Sequence, residues 1–537
     1  MHANVDISTT EAGSSYALAE TRRADVAVRC LVAATFAGLA ALLAFAAITW
    51  PWNHDEHQFI VPAIRIWHGE LPYRDFSHLH TPIQAFIYAA ALPLHDNPLL
   101  VARLINAFAA LATLALVYHW ARRRLDHLIG RDVARLLALV WVLLLAFVEV
   151  VPYTVSRSWN HSLSGLAAVA AFMLLVEGTR RDRHACLLFA GLCAGLAVGM
   201  RLSWAPLLGG LGVGLLMLNV HGFDWRRWLP RIAAFTAGLA LAMMPVAYLA
   251  VQAPETFYFN IVGYHRLSHV YHLELGNWTG MPARLRALAG MPFEQPGMVL
   301  HLLLLAALVT VAVAGRGRWQ AALSTRAWAL PIFTLAVLFF AAAGAYSPSR
   351  VNPQYHYGML LFTVLAASTW LALIVPDTFT ARRAATMLLP AAMATALLGV
   401  PHYVAMFRVL PTGNWPHVRA EQVRDALAMH LPEGGLVLTV APLFVEMAGL
   451  RTEPAMADGP FTFRVAHLLD DDARQRLNVI GPMDLDARFA DDMPAAVLTG
   501  FERDDTDAPL AAWAERHGYE RIDLRDTFNQ PHVLWRR

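Results

Sequence analysis

The sequence contains no lysine; all 42 of its basic residues are arginine. We attach no mechanism to that absence, which has the look of a compositional habit. Cysteine is scarce as well. Cys30, Cys186 and Cys193 all fall in apolar stretches, and neither CxxC spacing nor an even framework for disulfides is present, so they read as small core residues. Charge is also low. Only 15% of the 537 residues are charged and 57% are hydrophobic, whereas a soluble chain carries about 25% charged residues. That excludes an ordinary soluble domain and favours a polytopic membrane protein. The net charge of +2 and the lack of a basic-aromatic patch give no support for nucleic acid as a partner. Residues 1–28 are polar, and the apolar run 30–49 that follows suits a first membrane span better than a cleaved signal peptide.

Apolar runs long enough to cross a bilayer occur near 30–50, 98–120, 132–151, 160–178, 185–200, 203–220, 231–252, 297–314, 327–346, 355–376 and 384–406. The run 82–94 is too short for a span and reads as an interfacial or re-entrant helix. With the N-terminal tail 1–29 in the cytoplasm, the inner segments hold eighteen arginines and the outer ones eight, as the positive-inside rule requires. Counting 82–94 as a span would invert every later loop. The expected architecture is therefore mainly α: a bundle of eleven spans over 30–406, with the loop 50–97 outside. After about residue 407 the chain becomes acidic. Gly435–Val440 and Ala495–Thr499 read as buried strands, and Pro509–Arg516 as a helix ending at Gly518. A small α/β domain over 407–537 follows, and an odd number of spans places it outside.

The outward segments hold the chemistry. The first loop carries the adjacent carboxylates Asp55 and Glu56, then Tyr73, Arg74, His78 and His80. A second outer segment ends in Asn160-His161, and a late one reads Arg350-Val-Asn-Pro-Gln354-Tyr355-His356. Arg201 ends a Gly-rich span on the same side. Adjacent helical residues point about 100° apart, so one carboxylate of the pair faces a substrate. We expect Asp55 to be the chemical group and Glu56 its support or a metal ligand. Arg103, one turn inside the second span, is costly unless it faces the bundle interior, where Asn106 is one available neighbour.

This pattern resembles the GT-C glycosyltransferases, on the branch of the protein mannosyltransferases and the aminoarabinose–lipid A transferases. The matching residues are Asp55-Glu56 after the first span, Gly69-Glu-Leu-Pro-Tyr73, Thr81-Pro82 before a short helix, Arg103-Leu104 opening the second span, Arg201, and Pro353-Gln-Tyr-His356. The resemblance covers residues 30–406. It implies a transferase of a bacterial inner membrane that moves a sugar from a polyprenyl-phosphate donor to an acceptor hydroxyl outside the membrane. Asp55 would act as general base. Arg201, Arg74, His78 and His80 would contact the donor phosphate, while Tyr73, Asn160, His161, Arg350, Gln354, Tyr355 and His356 would line the substrate site. The acceptor could be a lipid, a polysaccharide or a protein. A divalent metal on Asp55 and Glu56 is a further expectation. It is weakened because Asn160-His161 stands where relatives often carry an acidic residue. Thr81 replaces a basic residue often seen before the proline, which leaves that phosphate contact to His78 or His80.

Two other classes stay open at this level. A transporter or flippase of lipid-linked saccharides would place ionisable groups near the membrane midplane, often in paired repeats. This chain gathers them at one face and shows no repeat. An O-antigen-type polymerase or ligase would concentrate its cations in a large late loop, whereas here the first loop dominates.

Overall fold

The computed structural model describes residues 8–218, 225–314, 328–374, 378–409, 411–502, 504–525 and 531–537. In its described residues each of the eleven apolar runs is mostly helical. Among the described residues, six helical stretches are long and apolar enough to cross a membrane: Arg23–Thr49, Pro98–Ile129, His161–Arg181, Trp228–Gln252, Pro296–Ala314 and Pro353–Ile374. His184–Met200, Leu202–Met217 and Ala329–Ala345 are shorter apolar stretches, and Arg131–Ala146 and Thr378–Val404 complete the set. The run 82–94 forms the helix Ile83–Ala91 and a final 3₁₀ turn, Leu92–Leu94, as its length dictates. Thr81 Oγ1 ties its start to Val198 O at 3.1 Å.

Small residues set the closest helix contact. On the helices His184–Met200 and Trp225–Gln252, Gly191 and Gly195 face Gly238 and Ala242, each pair four residues apart. A Cβ on Gly191 would lie 1.8 Å from Phe235 O, and one on Gly238 would lie 1.9 Å from Leu188 O. Such small-xxx-small seams let backbones touch where lipid supplies no hydrophobic drive between helices. Gly191→Leu must therefore push the pair apart, an overpacking cost of about 1–3 kcal/mol. The expected result is a lower thermal midpoint of the purified protein in detergent, and an unchanged midpoint would refute this account of the seam.

The last part of the chain folds as a five-stranded sheet. Its strands are β1 (Leu436–Thr439), β2 (Arg451–Thr452), β3 (Ala496–Thr499), β4 (Glu520–Arg525) and β5 (Pro531–Arg536), in the order β2-β1-β3-β5-β4. β1 pairs in parallel with β2 and β3, whereas β5 runs antiparallel to both β3 and β4. The helix Asp504–Arg516 buries Leu510, Trp513 and Ala514 with Leu438 and Val497 of the sheet. Gly518, at φ 76°, turns the chain into β4. β1, β3 and this helix match the sequence reading. The two-residue β2 and the β4–β5 hairpin have no comparable apolar run.

The sheet is joined to the first loop. Phe59, Ile60 and Ile64 of the helix His57–Trp67 share a core with Leu427, Leu443 and Phe444. Buried Arg65 donates to Glu446 Oε1 at 3.0 Å and to Thr452 O at 2.9 Å. Ser77 N–H donates to Pro454 O at 3.1 Å. The segments that leave the carboxyl ends of β1 and β3 both reach this loop, at Leu443 and Glu502. In open α/β sheets that end of the parallel strands is where ligands bind.

Candidate active site

The two carboxylates part company at a single capped turn. Asn53 precedes the 3₁₀ turn His54–Glu56; its Oδ1 accepts the Asp55 N–H at 2.9 Å, and Glu56 Oε1 accepts the Asn53 N–H at 3.2 Å. This capping box pins both residues. Glu56 is fully buried and takes Arg103 as a fork: Nε to Oε2 at 2.8 Å and Nη2 to Oε1 at 2.5 Å. Ser158 adds its N–H and its hydroxyl to Oε2, each at 3.1 Å. Arg103 also closes the end of the first span by donating to Ala47 O and Trp50 O. Asn106 instead holds Arg157 O and Trp159 O, bracing the second outer segment.

Glu56 thus receives five donors, which exhausts the roughly four lone-pair sites of a carboxylate. It does not fit the metal-ligand role expected of it. Among the described residues the Asp55 carboxylate pairs with His54 and Gln58, both at 3.3 Å, and its charge also acts on Arg464 and Tyr355. No group of three or more His, Cys, Asp or Glu suited to a metal ion occurs among the described residues. The donor set around Asp55 therefore does not fit a divalent cation, and no chemical step below passes through one.

Asp55 points the other way and keeps about a quarter of its side chain exposed (28%). Gln58 Nε2 donates to Asp55 Oδ1, and Gln58 Oε1 pairs with His80 Nε2 at 2.9 Å. Burial, helped by the charges of His78, His265 and Arg201, holds the His80 imidazole well below its usual range, so it is neutral and donates from Nε2. His80 therefore orients Asp55 through Gln58. Arg201, whose charge reaches His80, donates from Nε to Ser203 Oγ at 2.7 Å and from Nη1 to Asn160 Oδ1 at 2.7 Å. His161 Nε2 lies 3.2 Å from the same Nη1, and the Tyr355 ring lies 4.8 Å from the guanidinium centre. The rings of His161 and Tyr355 stack at 6.0 Å. Among the described residues no carboxylate forms an ion pair with Arg201. A partly exposed acid therefore shares a neighbour, Tyr355, with a planar cation that has no carboxylate counter-ion among the described residues.

Several expected residues stand apart from this cluster. Arg74 does not face it: the side chain is half exposed and forks onto Asp75 through Nε at 2.8 Å and Nη2 at 2.7 Å. His78 is buried 3.5 Å from Asp458 Oδ1 of the C-terminal domain, with its ring 6.2 Å from that of His80. Tyr73 sits at φ 69°, a left-handed conformation that costs a non-glycine residue about 1–2 kcal/mol. It is held there by Tyr73 N–H to Phe76 O at 2.9 Å and Tyr73 Oη to His80 O at 2.6 Å. Tyr73 is thus a buried brace of the loop. Of the late segment only Tyr355 joins the cluster. Arg350 meets His272 at 3.2 Å, His356 meets Tyr346 Oη at 3.2 Å, and Gln354 is buried with its Oε1 unpartnered.

With this geometry in hand, the fold can be compared with known structures. No protein-family model and no curated protein matches the sequence. Two solved structures match nearly its whole length: the aminoarabinose transferase ArnT of Cupriavidus metallidurans, bound to undecaprenyl phosphate and in the apo state. Their TM-scores are 0.58 and 0.59 at 14% identity, covering 94% of this chain and 97% of each of those. The chain shares the fold of these two structures. An oligosaccharyltransferase of Archaeoglobus fulgidus, tethered to an acceptor peptide, is less similar, with a TM-score of 0.47, 12% identity, and 93% of this chain and 74% of that one covered. On this scaffold Asp55 and His80 of the first loop, Asn160 and His161, Arg201 and Tyr355 share one region. Gln58 and Ser203 also belong there, and sequence reasoning missed both. Gln58 sits one turn beyond Asp55 and could have been found by that spacing.

His54 links the site to the C-terminal sheet, 3.3 Å from Asp55 and 3.2 Å from Glu502. Burial opposes its charge, but hydrogen bonds to both carboxylates outweigh it and push its pKa up to about 10 from the usual 6.5. A raised pKa means that this contact stabilises the fold fully below pH 6.5 and stops doing so as the pH climbs through about 10. The thermal midpoint should therefore fall more across pH 7 to 10 in the wild type than in His54→Gln. Parallel curves would refute the link.

Proposed function

We propose that the protein is a glycosyltransferase of a bacterial inner membrane that takes a sugar from a polyprenyl phosphate and transfers it to an acceptor hydroxyl on the extracytoplasmic side. One observation carries the reading: the charges of Asp55 and of Arg201, a cation with no carboxylate ion-pair partner among the described residues, both act on buried Tyr355, at the place where three outer segments of a GT-C fold meet. The ArnT structure that shares this fold holds undecaprenyl phosphate. In the proposed step the acceptor oxygen attacks the anomeric carbon and the carbon–oxygen bond to the lipid phosphate breaks. The phosphate leaves with the electron pair, and the hydroxyl proton passes to Asp55. Attack opposite the leaving phosphate inverts the anomeric centre. Arg201, aimed by Asn160 and Ser203 and backed by Tyr355, meets the charge that develops on the phosphate. His161 and Tyr355 offer flat faces beside it. The first loop, and with it the α/β domain of residues 407–537, lies outside the membrane, in line with the arginine bias.

The test is release of free polyprenyl phosphate by the purified protein from a panel of polyprenyl-phosphate sugars. Release with one donor supports the reading and identifies the sugar, whereas no release with any donor from folded protein overturns it. Arg201→Met removes a charged hydrogen-bond donor worth about 1.5–3 kcal/mol. It should raise the donor KM or lower kcat by about ten- to a hundredfold, and unchanged kinetics would remove Arg201 from the phosphate site.

A further inference from the structure

Both side chains that reach the Asp55 carboxylate take the same oxygen. Gln58 Nε2 and His54 Nε2 each lie 3.3 Å from Oδ1. Among the described residues no hydrogen bond or ion pair uses Oδ2, and the side chain keeps 28% of its surface open. The last torsion of an aspartate is a broad, twofold well, so an unheld carboxylate exchanges its two oxygens freely. Two fixed donors on one oxygen remove that freedom and leave the other bare. Gln58 is fixed by burial and by His80, whose Nε2 lies 2.9 Å from its Oε1 and whose ring stacks on Phe59 at 4.8 Å.

His54 is fixed from the C-terminal domain. Its Nδ1 lies 3.2 Å from Glu502 Oε2, and its ring packs edge-on to Phe461 at 5.8 Å. With a carboxylate at each ring nitrogen, only the imidazolium can donate to both. Glu502 follows β3 and is itself held, with its side chain only 8% exposed. Asp507 Oδ2 accepts the backbone N–H groups of Gly500, Phe501 and Glu502 at 2.8, 3.0 and 2.9 Å. The Phe501 ring stacks on His532 at 3.9 Å and on Phe444 at 4.4 Å. The two donors thus come to Oδ1 from different parts of the fold. We infer that Asp55 Oδ2 is the atom that takes the proton of the attacking hydroxyl, and that Glu502, acting through His54, is a positioning residue that keeps Oδ2 free for it. The inference rests on the transferase reading and makes the C-terminal domain a working part of the reaction centre. As the acceptor oxygen bonds to the anomeric carbon, its O–H bond breaks and the proton goes to Oδ2, while Oδ1 keeps its two donors.

The measurement is kcat and donor KM for polyprenyl-phosphate release by the full-length protein, with whichever polyprenyl-phosphate sugar of a panel the wild type turns over. Glu502→Gln keeps the shape and an acceptor for His54 Nδ1 but removes the charge. It should lower kcat about ten- to a hundredfold, as loss of a charged hydrogen bond does, and leave the donor KM unchanged. Glu502→Asp keeps the charge and should fall between that variant and the wild type. His54→Gln, at a side chain 43% exposed, should lose as much as Glu502→Gln and carries the test if the latter does not fold. The double variant should lose no more than either single one, because one residue acts through the other. Wild-type kcat in a folded single variant, losses that multiply in the double variant, or no gain from Glu502→Asp over Glu502→Gln overturns the assignment. Absent release by the folded wild type with every donor overturns the transferase reading and this assignment with it. Normal wild-type release with an insensitive Glu502→Gln overturns the assignment alone.

Discussion

Asp55→Asn should reduce sugar transfer by about 10²–10⁴-fold, the usual contribution of a positioned general base. The protein should remain folded and as abundant as the wild type. The expectation follows from geometry. Asp55 is partly exposed, and its side-chain contacts are one hydrogen bond from Gln58 and a looser pairing with His54, each at 3.3 Å. Asparagine has the same shape and can still accept from Gln58, so packing is unchanged. It cannot accept the proton of the attacking hydroxyl. The measurement is polyprenyl-phosphate release beside size-exclusion elution and thermal midpoint. Full activity in a folded variant would sink the general-base role.

The neighbouring carboxylate should behave in the opposite way. Arg103→Met leaves Glu56 charged, wholly buried and without its cation, and breaking such a pair from one side costs about 3–5 kcal/mol. The expected result is loss of folded protein: lower yield, early elution and a large drop in thermal midpoint. Glu56→Gln should be milder, since an amide can still accept from Ser158 and strands only the arginine beside its two carbonyl partners. The double variant Glu56→Met/Arg103→Met should recover part of the loss, because no buried charge remains. Normal stability in Arg103→Met would show that the pair does not hold the loop. Two residues adjacent in sequence are thus separated by experiment into a chemical group and a brace.

Much of this was legible in the chain. Low charge and long apolar runs specified a helical membrane bundle, because an apolar segment of that length has few other stable states. Patterning and turn residues placed β1, β3 and the helix Asp504–Arg516. The edge strand β2 and the β4–β5 hairpin were not readable, since short, polar-rich strands take their pairing from the sheet beside them. In the site, Asp55, His80, Asn160, His161, Arg201 and Tyr355 were named from their outer-face positions and do come together. Arg74 was named on the same grounds and turns to Asp75, while His78 lies between His80 and Asp458.

The sequence by itself determined the class of protein, the carriers of charge and their order along the chain, because hydropathy and composition act through length alone. Only the tertiary structure decided what each of them does. Glu56 became a buried partner of Arg103, 47 residues away. His78 was set against Asp458, and Arg464 against the rings of Phe461 and Tyr271. Such roles depend on which groups share a low-dielectric space, and that is set by contacts between segments hundreds of residues apart, which no local pattern encodes.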